Sequence, residues 1–176
     1  MRGLSFFMRN FANFLSFLLP FIDKLPSKLL PAQFENMISL VSRTGRQLQR
    51  YDRGCRLVVG CIPYRYKKTD QPSSIDGTST EDIEVLVISS QSGQGMLFPK
   101  GGWEEDESMV QAALRETFEE AGVIGKVECE LGKWLYMSKR GAKMHEVYMF
   151  PLLVHKELDL WPEKSIRKRK WFEFFR

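Results

Sequence analysis

The sequence contains little from which to build cysteine or histidine chemistry. Its three cysteines, Cys55, Cys61 and Cys129, follow no CxxC spacing. An odd count without that spacing argues against a disulfide framework and against a zinc site, and suits a reducing compartment. Cys61 and Cys129 fall in apolar surroundings and read as core residues. His145 and His155 lie ten positions apart, which argues against a compact histidine-based metal site. Excess charge is also scarce. A formal net charge of +4 is too weak for a protein that wraps nucleic acid, so no nucleic-acid partner is expected, while a small polyanionic ligand remains compatible. Long apolar runs are missing too. The cleanest, residues 11–22, is interrupted by Asn13, Ser16 and Pro20 and falls short of the ~20 residues a spanning helix needs. No stable membrane insertion is therefore expected.

Acids are absent before Asp23, where the chain is rich in Phe and Leu and carries Arg2 and Arg9. Three readings stand for this leader: a mitochondrial presequence, a secretory signal, or an amphipathic segment packed on the domain. A mitochondrial location is the expectation, with a cytoplasmic one as the alternative. Pro20, Pro26 and Pro31 punctuate the stretch that follows, so residues 1–33 read as leader and linker and 34–176 as one domain. With 43% hydrophobic and 27% charged residues, the 176-residue chain has the composition of one soluble domain with one sizeable core.

Along that domain, residues 39–54 (SLVSRTGRQLQRYDRG) carry Arg43, Arg46, Arg50 and Arg53, which read equally as a solvated basic face or as ligand contacts. Residues 56–66 and 84–90 are rich in β-branched residues and predict strands. Residues 96–99 predict a short extended piece, 127–137 and 143–155 a pair of strands around a turn, and 171–174 the start of another. Residues 108–121 predict a helix, with Ser108 and Gln111 at capping-box spacing and Gly122 at the C-cap. Strands interleaved with one strong helix predict an α/β or α+β sheet layered with helices.

That helix carries the chemistry. Val110, Ala113, Leu114, Thr117, Phe118 and Ala121 form a stripe predicted to pack on the sheet. Glu116, Glu119 and Glu120 lie beside it, three and four residues apart, where like charges repel. Two of them sit in the last turn, where the helix dipole disfavours anions. Carboxylate oxygens are the hard donors that Mg²⁺ or Mn²⁺ prefers, so a divalent cation is one reading; a solvated acidic face is the other.

The flanking residues decide between them. Residues 101–123 read GGWEEDESMVQAALRETFEEAGV: Gly101, five residues, Glu107, seven residues, then Arg115-Glu116-Thr117-Phe118-Glu119-Glu120-Ala121-Gly122-Val123. Seven such fixed positions arise by chance on the order of once in 10⁹ starts. The pattern resembles the Nudix box at every charged and glycine position, with Thr117 where a larger aliphatic residue is usual. The resemblance implies a Nudix-type α/β/α sandwich with a mixed sheet and a loop–helix–loop motif, and a Mg²⁺- or Mn²⁺-dependent hydrolase of phosphoanhydride bonds. It implies that Glu116 and Glu120 ligate metal, that Glu119 is a water-mediated ligand or the base, and that Glu107 is an auxiliary ligand. Arg115 would orient a box carboxylate through a bidentate pair. Gly101 and Gly102 would let the backbone approach the phosphates.

Residues 95–108 (GMLFPKGGWEEDES) together with 39–52 look like the plant branch related to diphosphoinositol polyphosphate phosphohydrolases, some of which also take diadenosine polyphosphates. By that resemblance the partner is a small polyphosphate substrate, and Lys100, Arg140, Arg167 and Arg169 are its candidate contacts. Trp103 reads equally as pocket lining or packing. The family's closing C-terminal helix is missing after Arg176, which is the one expected departure in fold. A nucleotide-sugar, NADH or ADP-ribose pyrophosphatase and a catalytically silent polyphosphate-binding module remain the alternatives.

Overall fold

The computed structural model describes residues 41–67, 83–93, 95–138 and 143–173; the predicted leader and Arg140 lie outside them. Among the described residues nine strands and one helix follow in the order β1 (Tyr51–Asp52), β2 (Cys55–Tyr66), β3 (Ile83–Ser89), β4 (Met96–Leu97), β5 (Lys100–Gly102), α1 (Met109–Ala121), β6 (Val123–Val127), β7 (Gly132–Met137), β8 (Met144–Glu157) and β9 (Arg169–Glu173). All nine strands belong to one mixed sheet, with β4-β3-β2-β8-β6 as its main path. This mixed sheet with one helix is the α+β arrangement the sequence predicts. Among the described residues no helix is long and apolar enough to cross a membrane.

β2 forms the centre. It pairs in parallel with β8 from Arg56↔His145 to Tyr64↔Leu153, and antiparallel with β1, β3 and β5. Residues 57–64 are buried without interruption, as a strand covered on both faces requires. The sheet and α1 share a core that includes Val59, Cys61, Leu86, Ile88, Phe150 and Leu152.

Helix α1 begins where the sequence predicts. Ser108 Oγ accepts from Gln111 N at 3.2 Å and Gln111 Oε1 from Ser108 N at 2.8 Å, closing the capping box. Gly122 ends the helix at φ 63°, the left-handed region that glycine enters without steric penalty, and its N–H donates to Phe118 O. The buried face differs from the predicted stripe. Ala113, Thr117 and Ala121 are buried, but Val110 is exposed, and Arg115, Glu119 and Glu120 are buried as well. The acidic face is therefore packed against other groups and is not simply solvated.

The predicted strand 127–137 is two strands. β6 pairs with the second half of β8 (Val127↔Leu152 to Val123↔Glu157) and β7 with the first half (Met137↔Met144 to Gly132↔Met149). The chain has to cross between these positions, and Glu128 N and Leu131 N bond Pro151 O and Met149 O on the way. Cys129 lies on this exposed crossing, which corrects its reading as a core residue; Cys61 is buried as expected.

Candidate active site

Strand β5 and helix α1 bring most of the predicted site residues together. The pairs Val59↔Gly101 and Gly60↔Lys100 fix β5 on the central strand, and α1 packs beside it. The Glu116 carboxyl group lies directly over Gly101, where a Cβ would fall 2.1 Å from it. Gly102 is crowded in the same way by Gln49 Oε1, 1.8 Å from a Cβ at that position. Close approach requires glycine at both positions. What approaches here is the protein's own side chains, where the resemblance implies phosphates.

Arg115 is buried and holds the box together from inside. Its Nε and Nη2 donate to the two oxygens of Glu107 at 2.9 and 2.6 Å. Nη2 also donates to Gly102 O at 2.9 Å, and Nη1 to Glu116 Oε1 at 2.8 Å. Glu119 Oε2 stands 3.5 Å from Nη1. Burial opposes the Arg115 charge, but Glu107 and Glu116 outweigh it and push the pKa up. Glu107 Oε1 accepts a further bond from Glu104 N at 3.1 Å. Glu120 accepts from Lys100 N at 2.9 Å through Oε2 and from Arg167 Nη2 through Oε1. Arg167 is itself buried, with Nε on Glu163 Oε2 at 2.6 Å and Nη1 on Ser89 O at 3.0 Å.

The acids of the box are largely shielded from solvent. Side-chain exposure is only 6% for Glu107, 13% for Glu116 and 8% each for Glu119 and Glu120. Burial pushes the carboxyl groups of Glu119 and Glu120 up to about 7 despite Arg115 and Arg167, and raises that of Glu116. Lys100 is pushed down, first by burial, with Arg167 adding to it. Burial is the largest cause for each carboxyl group, with like-charge repulsion from Glu116 adding to Glu119 and Glu120, and from Glu107 adding to Glu116. Among the described residues no three acids, histidines or cysteines form a ready metal cage, and each acid is engaged with a cation or an amide instead. The donors still fit a hard divalent ion: Glu116, Glu119 and Glu120 share one helical turn and offer only oxygen.

The sequence matches the NUDIX domain over residues 75–174. It is 56% identical to Nudix hydrolase 4 of Arabidopsis thaliana over 171 residues, covering 96% of this chain and 81% of that one. The chain belongs to the Nudix hydrolase family. Nudix hydrolase 18, mitochondrial, of the same plant is 58% identical over 137 residues, 78% of this chain and 75% of that one. A more distant relative, diphosphoinositol polyphosphate phosphohydrolase 2 of Mus musculus, is 34% identical over 131 residues, 72% of this chain and 64% of that one. A solved NUDIX hydrolase from Nitrosomonas europaea shares the fold at a TM-score of 0.50 and 20% identity, covering 67% of this chain and 72% of that one. Nudix hydrolases in general use divalent metal ions.

Within this Nudix box and its surroundings, Glu107, Arg115, Glu116, Glu119, Glu120, Lys100, Gly101, Gly102 and Arg167 come together. Arg169 stands apart from that group. Its Nη1 donates to Ala121 O and Gly122 O at 3.0 Å each, and its guanidinium stacks 4.4 Å from the Trp161 ring, so it caps the C-terminal end of α1. Trp103 packs rather than standing free, with Nε1 on Glu107 O at 3.0 Å and Arg50 over its ring at 4.6 Å. The sequence read Arg43 and Arg50 as a solvated basic face or as ligand contacts and singled out nothing at Gln49; all three instead brace the box loop. Arg50 donates to Glu104 O and Glu105 O at 3.0 and 2.8 Å, and Gln49 Nε2 to Trp103 O at 2.9 Å. The periodic basic pattern gave no hint of partners more than fifty residues away.

Proposed function

We propose that this Nudix hydrolase cleaves phosphoanhydride bonds in diphosphoinositol polyphosphates or diadenosine polyphosphates, using Mg²⁺ or Mn²⁺. The observation that carries the reading is the trio Glu116, Glu119 and Glu120 on one turn of α1, all largely shielded from solvent, with Glu116 over Gly101 and Glu120 on the Lys100 amide. Glu116 and Glu120 would hold the metal directly, with Glu119 and Glu107 auxiliary. Bound there, a divalent ion polarises the anhydride and lowers the pKa of water.

The chain's own residues supply the rest. Glu119, whose Oε2 stands 3.5 Å from Arg115 Nη1, would accept the proton of the attacking water. Arg115 fixes Glu107 and Glu116 and neutralises part of their charge. Arg167 restrains Glu120 from the opposite side. A highly phosphorylated substrate is supported by the cations beyond the box. His145 is held below its usual range first by burial and then by Arg56, Arg46, Lys100 and Lys143, and among the described residues neither Arg46 nor Lys143 has an ion pair. The mouse relative's name supports the same class. Arg140 and Arg169 remain proposed phosphate contacts on the sequence resemblance alone.

The test is turnover of diphosphoinositol, dinucleoside polyphosphate, ADP-ribose and NADH substrates with Mg²⁺ or Mn²⁺. Glu119→Gln should lower kcat by about 10²–10⁴-fold, with a comparable loss for Glu120→Gln. Absence of metal-dependent turnover on every substrate would overturn the reading, and ADP-ribose or NADH as the preferred substrate would redirect it. A mitochondrial destination is proposed from the acid-free leader. The names of relatives agree only in part, since one says mitochondrial and another chloroplastic. Import of a leader fusion into each isolated organelle decides it.

A further inference from the structure

The segment entering β1 passes over the site. Val41 is strongly exposed, but two residues later Arg43 is engaged at both its backbone and its side chain. Its amide N donates to Glu119 Oε1 at 3.3 Å. Its Nη1 reaches Glu104 Oε2 at 2.7 Å and the two oxygens of Asp106 at 3.0 and 3.1 Å. Glu104 and Asp106 lie on the box loop, between Gly102 and Glu107. The same loop is gripped from this segment by Arg50, and from α1 by Arg115 through Glu107. Glu119 Oε2 faces Arg115 while Oε1 faces the Arg43 amide, so this carboxyl group is set between the helix and the crossing segment.

We propose that Arg43 is a positioning residue for Glu119: its guanidinium latches the segment to Glu104 and Asp106, and the latch places its own backbone N–H on the Glu119 carboxylate. The inference rests on the reading of Glu119 as a group that serves metal or water. With Oε2 on the Arg115 side and Oε1 on the Arg43 amide, the Glu119 carboxyl group is oriented by both, and moving the crossing segment removes one of the two. The side chain is the handle and the amide is the working atom. Lysine can therefore replace arginine in part, by pairing with the two acids as a point charge.

Mn²⁺ binding to the metal-free protein, read by calorimetry, is the first measurement, followed by kcat and KM on the best substrate of the panel above. Arg43→Ala should weaken Mn²⁺ binding and lower kcat by about 10–100-fold, as loss of an outer-shell partner does, with KM changed far less. Arg43→Lys should recover most of both. The Glu104→Gln/Asp106→Asn double variant, which keeps Arg43 but removes its latch, should reproduce the alanine loss. Thermal melts identify any variant that fails to fold, and for such a variant the lysine and latch variants carry the comparison. Wild-type protein that binds no Mn²⁺ would overturn the metal reading itself. Wild-type binding matched by Arg43→Ala, in both affinity and kcat, would overturn the role of Arg43 alone. A latch variant indistinguishable from wild type would overturn the latch.

Discussion

Gly101 and Glu116 constrain each other, because the strand and the helix turn that carry them are in contact. Gly101→Ala should push the Glu116 carboxyl group aside and lower metal affinity. Overpacking of this kind costs about 1–3 kcal/mol in stability, checked by thermal melts beside Mn²⁺ titration. A variant that retains both affinity and stability would mean the contact is slack. At this scale the sequence was legible wherever local spacing carries the information. Glu116, Glu119 and Glu120 stand one turn apart because a helix places them so. The resemblance implied a bidentate pair between Arg115 and a box carboxylate, but not that Glu107 is that carboxylate, that Gly102 O and Glu116 share the guanidinium, or that Arg167 reaches Glu120 from 47 residues away. Those contacts depend on how the loop and β9 return to the helix.

Helix α1 breaks a local rule, with two acids and no basic residue in its last turn. Arg169 offsets this from outside, bonding the carbonyls of Ala121 and Gly122 at the negative end of the helix. Arg169→Ala should lower stability by about 2 kcal/mol, the scale of hydrogen bonds from a charged group. If capping is its whole task, KM will stay at the wild-type value while the melting temperature drops; a raised KM would show that it also reaches substrate. The helix limits could be read from Ser108, Gln111 and Gly122 because caps are short-range chemistry. Residues 127–137 were misread as one strand because the reason for the break lies in β8, which accepts β6 and β7 on successive stretches of the same edge. Nothing within the residues themselves records that handover.

Across the whole molecule, the sheet order could not be read from sequence. That β2 lies parallel to β8, with Arg56 opposite His145, and that β9 joins β3, are long-range pairings. Only the fold class was legible, from alternation of strand and helix patterns and from the box. The buried acids, in contrast, shape a property of the entire chain. A carboxyl group raised from 4.5 to about 7 on folding keeps its proton in the native state where the unfolded chain has lost it. The stability contributed by Glu119 and Glu120 is therefore present below pH 4.5 and is lost as pH rises toward 7. Metal needs the ionised form and should reverse that trend. The gain in melting temperature on adding Mg²⁺ should be larger at about pH 8 than at about pH 6, measured by calorimetry at matched ionic strength. A gain independent of pH would remove these carboxylates from the binding site.

The inward-facing bonds of Arg115 have an engineering consequence. Its guanidinium is satisfied by Glu107, Glu116 and Gly102 O, all within the loop and helix. The guanidinium therefore needs no acceptor from a substrate. On the proposed reading, replacing Arg46 or Lys143 should change what the enzyme accepts without rebuilding the acid trio, so selectivity can be screened in a library that leaves residues 101–123 untouched.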